Sequence, residues 1–86
     1  NLDELSTALV HYEKALAIRE KTLPPNHPNL AHTYDGIGLV YRRMGQCSKA
    51  LSSYKKAIEI GQQLFSVNHP DLATFYNNIG SVYEDM

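Results

Sequence analysis

Eighty-six residues with 43% hydrophobic content make at most one small domain, too apolar for intrinsic disorder. Eight basic residues against nine acidic ones leave a net charge of −1, which excludes the clustered positive surface of a nucleic-acid binder. No apolar run approaches the roughly 18 residues that a membrane span requires, so neither nucleic acid nor membrane is an expected partner.

Periodicity predicts four helices and three connections. The first runs from about Asp3 to Lys21, with Leu5, Ala8, Leu9, Tyr12, Ala15 and Leu16 at helical spacing. Asp3 is its expected N-cap, because a carboxylate there accepts from free first-turn amides. Leu23-Pro24-Pro25 ends it, since consecutive prolines lack amide donors and clash with a continuing helix. The second starts at about Pro28, where a missing N–H costs nothing. Its stripe is Leu30, Ala31, Tyr34, Ile37, Gly38 and Tyr41, and Gly45 is the expected left-handed stop.

The third helix, about Cys47 to Phe65, is expected to bury Ala50, Leu51, Tyr54, Ala57, Ile58, Gly61 and Leu64. The fourth, from about Pro70, repeats the second stripe as Leu72, Ala73, Tyr76, Ile79, Gly80 and Tyr83. Gly38 and Gly80 each cost about 1 kcal/mol against alanine in a helix interior. Close approach of a neighbouring helix, with tyrosines wedged into the gaps, is the expected compensation.

The same pattern returns after 42 residues: Asn26-His27-Pro28 recurs as Asn68-His69-Pro70. Laying residues 1–44 on residues 43–86 without a gap matches 18 of 44 positions, from Ser6 with Ser48 to Met44 with Met86. A fixed period of this length signals a solenoid, in which each unit buries its apolar face by stacking on its neighbours. The expected fold is therefore all-α, an antiparallel helix-hairpin solenoid.

Tyr34, Ile37, Gly38, Tyr41, Ala50, Tyr54 and Ala57 have the spacing of the tetratricopeptide (TPR) signature, and the chain resembles that family over its whole length. Gln62 stands where the usual closing proline would be. The run Tyr12-Glu13-Lys14-Ala15-Leu16-Ala17-Ile18, followed by His27-Pro28-Asn29-Leu30-Ala31, is similar to the 42-residue repeats of kinesin light chains. The resemblance divides the chain into the second helix of one repeat (1–23), one complete repeat (28–65) and the first helix of the next (70–86). It implies that first-type helices line a concave groove that takes a peptide or partner helix. The groove residues expected off the packing stripe are His32, Asp35, Leu39 and Arg42, then Thr74, Asn77, Ser81 and Glu84. Asn77 matches the first asparagine of the pair that kinesin light chain-like repeats carry.

Asp35 would repel a carboxylate ligand, which disfavours chaperone C-terminal tails. Arg42 suits an acidic peptide, but Asp35 and Glu84 oppose one, so no particular ligand follows. The histidines preceding proline, His27 and His69, read as turn caps rather than metal ligands, and His11 as an outer-face residue. Cys47 has neither a paired base nor a nucleophile turn, and its single thiol cannot close an internal disulfide. With no secretory signal visible, a cytoplasmic location is expected.

These features imply a non-enzymatic protein–protein interaction module with no cofactor and no metal. The alternative is a structural fragment that oligomerises through its end helices, head to tail or by domain swapping.

Overall fold

A computed structural model describes residues 1–24, 27–64 and 69–86. They form α1 (Leu2–Thr22), α2 (Pro28–Arg43), α3 (Cys47–Leu64) and α4 (Pro70–Asp85). Consecutive helices pack in the order α1 on α2, α2 on α3 and α3 on α4, with a lighter contact between α2 and α4. The result is a slab of 35 × 31 × 17 Å, the all-α helix-hairpin solenoid expected from the period. No described helix is long and apolar enough to cross a membrane.

Local chemistry sets the helix ends. Asn1, not Asp3, caps α1: its side chain accepts from the Glu4 N–H at 3.0 Å, while the Glu4 carboxylate reaches back to the Asn1 amine. That reciprocal box satisfies two groups at once, which a lone Asp3 inside the first turn cannot do. Leu23 turns to extended backbone before Pro24, as a residue preceding proline must. Pro25 lies outside the described residues, as does Phe65, the expected end of α3.

His27 and His69 cap α2 and α4. Each Nδ1 accepts a backbone N–H two residues on at 3.1 Å, from Asn29 and Asp71, with proline at the first helical position. Gly45 stops α2 at φ +78°, and the Gln46 N–H donates to the Tyr41 carbonyl at 2.9 Å.

Two apolar clusters hold the layers together. Leu30, Ala31, Ala57, Ile60, Leu72 and Phe75 form one, and Ala50, Tyr54 and Val82 the other. Burying a ring such as Phe75 contributes about 1.5–3 kcal/mol.

The expected stripes need three corrections. Ile60, Val40, Phe75 and Val82 are buried although the stripes omit them. Leu51, Ile58 and Leu64 on α3 are only half-buried. On α4, Ala73, Tyr76 and Tyr83 are exposed, because that helix packs on α3 through its Leu72–Phe75–Val82 edge and none of the described residues covers these side chains.

The two equivalent seams between repeats are filled in opposite ways. In the first, Arg19 of α1 reaches Thr33 of α2 and donates to its hydroxyl. Forty-two residues later these positions are Gly61 and Phe75, and a Cβ on Gly61 would sit 3.3 Å from the Phe75 ring. The large side chain has moved from one helix to the other while the close packing is kept.

Candidate functional site

Residues 32, 35, 39 and 42 share one face of α2 because they fall three to four apart, and residues 74, 77, 81 and 84 do the same on α4. The α2 row does not stand free. His32 Nε2 lies 3.1 Å from an Asp71 carboxylate oxygen, and its ring meets Phe75 edge-on at 5.7 Å. Asp35 accepts from the Asn78 amide at 2.9 Å. Arg42 Nε donates to the Asp85 carboxylate at 2.7 Å.

Three polar rungs therefore join α2 to α4. Their α4 ends, Asp71, Asn78 and Asp85, are spaced by seven, so they lie along one line on the helix. These three residues are the part of the surface that sequence reasoning missed. Two of the rungs, Asp35–Asn78 and Arg42–Asp85, link residues 43 apart, one more than the repeat, so aligning equivalent positions points to Asn77 rather than Asn78. Asn77 is exposed, and its side chain takes no part in the rungs.

The other expected residues divide by exposure. Leu39 and Ser81 are half-buried, whereas Thr74, Asn77 and Glu84 are exposed. The Thr74 and Ser81 hydroxyls donate to carbonyls of their own helix, Pro70 at 3.3 Å and Asn77 at 3.1 Å. Such back-bonding leaves each oxygen a lone pair for an incoming donor.

Charge on this face is shaped by burial as well as by pairing. Loss of water pushes the Asp35 carboxyl up, while the Asn78 bond and His32 pull it down. The bond to Asp85, reinforced by its charge and that of Glu84, holds the Arg42 guanidinium in its cationic form against partial desolvation. Beneath them Tyr54 is fully buried, and its hydroxyl has no hydrogen-bond partner among the described residues. Burial, with Asp35 adding to it, pushes this phenol up to about 12.

A cleft of about 570 Å³ lies elsewhere. It sits between α1 and α3 over the first half of α2, floored by Leu30, Tyr34 and Ile60 and edged by Glu20, Lys56, Glu59 and Gln63. It holds none of the expected groove residues.

His27 and His69 spend Nδ1 on helix caps, in keeping with their turn-capping role. His11 is exposed, and Cys47 is a half-buried thiol opening α3. Among the described residues no group of three or more His, Cys, Asp or Glu side chains is placed to hold a metal ion.

Residues 2–63 and 40–86 each match the family model for the tetratricopeptide repeat, and between them they cover all but the first residue. No curated protein matches the chain. The chain belongs to the tetratricopeptide repeat family, whose members are generally protein–protein interaction modules.

Proposed function

We propose that this tetratricopeptide repeat protein is a non-enzymatic interaction module that holds a peptide or partner helix on the face formed by α2 and α4. The observation that carries the reading is the set of polar rungs. They fix the two helices side by side, so little order has to be imposed when a partner arrives. His32, Asp35, Leu39 and Arg42 then form one wall of the groove, and Thr74, Asn77, Ser81 and Glu84 the other. Asn77 offers a donor and an acceptor to a peptide backbone without demanding a sequence. The 42-residue period and the His-Pro connections support a kinesin light chain-like type.

The test is selection from a random peptide library displayed on phage, followed by chemical-shift mapping of a selected peptide on the labelled chain. Shifts should concentrate on Asp35, Asn77, Ser81 and Glu84, and Asn77→Ala should weaken binding. Shifts confined to the outward sides of α1 and α3 would overturn the groove assignment.

A second reading, self-association through the end helices, is favoured by a separate observation. Tyr76 and Tyr83 on α4 are 49% and 54% exposed, and Val10 and Ile18 on α1 are 50% and 63% exposed. Four large apolar side chains on the two end helices are thus left for another surface to cover.

A further inference from the structure

We propose that copies of this chain join head to tail, α4 of one copy packing on α1 of the next to rebuild the α2–α3 hairpin, with Glu84 of the first paired to Arg43 of the second. This rests on the self-association reading and specifies its geometry. The 42-residue offset makes α4 the counterpart of α2 and α1 the counterpart of α3. A hairpin between α4 and α1 is thus already written in the α2–α3 pair.

The internal pair shows what that contact needs. The Tyr54 ring lies over Gly38, 2.8 Å from where a Cβ would sit, and Ala31 and Ala57 are fully buried. Each of these residues has an identical counterpart: Gly80, Ala73, Tyr12 and Ala15. All lack the cover their equivalents have. A Cβ on Gly80 meets nothing within 4 Å, and Tyr12 is 37% exposed where Tyr54 is 0% exposed. No residue of α1 is buried, because α1 packs on α2 alone.

Charge selects a second copy as the occupant. Within the chain Arg42 pairs with Asp85, one rung of the α2–α4 seam. Advancing that rung by one repeat pairs Glu84 with Arg43 of the next copy, and the Asp35–Asn78 rung becomes Asn77 against Gly36. Helix α2 ends in Arg42-Arg43 and α4 in Glu84-Asp85, so the ion pair recurs with its sign reversed. Both Arg43 and Glu84 are exposed, and neither makes an ion pair among the described residues. Such a joint is heterologous: each copy offers a different surface at each end, and growth continues unless the rotation closes a ring. It also runs the concave face without a break from α4 of one copy to α2 of the next.

The experiment is sedimentation equilibrium of the 86-residue chain over a hundredfold concentration range. The mass should climb with concentration. Glu84→Arg alone and Arg43→Glu alone should each weaken association on the order of tenfold, by replacing an attraction with a repulsion. Circular dichroism at a monomeric concentration should show unchanged helix content for both. An equimolar mixture of the two variants should recover association, because each then meets an opposite charge at both ends. A chain that stays monomeric throughout overturns both the association reading and this geometry. Association that ignores both substitutions, or a mixture no stronger than its components, overturns the geometry while self-association itself stands.

Discussion

Three of the four glycines inside helices, Gly36, Gly38 and Gly80, provide a graded test of the packing. Replacing each with alanine gains about 1 kcal/mol of helix propensity, the same at all three sites. What differs is the space a Cβ would enter. At Gly38 it would lie 2.8 Å from two carbons of the Tyr54 ring, a side chain fully buried between α2 and α4 with nowhere to turn. Overpacking of this kind costs about 1–3 kcal/mol, so Gly38→Ala should lose up to about 2 kcal/mol net. At Gly36 the clash is nominally worse, 2.6 Å, but against the far end of Tyr12, which is 37% exposed and free to swing outward. Gly36→Ala should be close to neutral. Gly80 meets nothing within 4 Å, so Gly80→Ala should keep the whole gain of about 1 kcal/mol. Urea denaturation of the dilute, monomeric chain measures all three. For a domain of this size each kcal/mol also moves the melting temperature by about 4–8 °C. The reasoning fails if Gly38→Ala stabilises the chain as much as Gly80→Ala does, since Tyr54 would then not be locked.

Further outcomes follow from Tyr54, Asp35 and Arg42. Tyr54→Phe removes a buried hydroxyl with no partner among the described residues and should stabilise the fold by about 1 kcal/mol in urea melts. The Tyr54 phenol is raised in the folded state, so its contribution is complete below the ordinary tyrosine value of 10.0 and is lost as pH rises through about 12. Absorbance titration should therefore show one of the six tyrosines ionising last, together with unfolding, and Tyr54→Phe should weaken that alkaline loss. The Asp35 carboxyl is also raised, so its contribution is present below its ordinary value of 3.8 and lost as pH climbs through the raised native one. Asp35→Asn should accordingly stabilise the chain at neutral pH, with the advantage fading in paired melts as the pH falls through the raised native value and gone below the ordinary 3.8. Arg42→Ala should destabilise the chain slightly at low ionic strength and less in high salt, because the Arg42–Asp85 pair is partly exposed. A salt-independent loss would point to packing by the arginine stem instead.

Much of this architecture is written in the chain itself. The 42-residue period, the His-Pro starts of α2 and α4 and the Gly45 stop are local signals, because proline, glycine and a capping side chain act on the backbone within a few residues. The facing of α2 was partly legible: Leu30, Ala31, Ile37 and Gly38 are buried as their spacing demands, whereas Tyr34 and Tyr41 of the same stripe are half-buried. The same periodicity misled on α4, where Tyr76 and Tyr83 are exposed, because a stripe records every face a repeat covers within an array, whereas burial depends on which neighbours are present. Tertiary structure alone decided the cross-helix pairings. The exchange of bulk between Arg19–Thr33 and Gly61–Phe75 has no periodic signature, since each seam needs only that its combined volume fit. The rungs from His32, Asp35 and Arg42 to Asp71, Asn78 and Asp85 depend on how far α4 is shifted and rotated against α2. That offset is set by the packing of both helices on α3, and a repeat length by itself does not contain it.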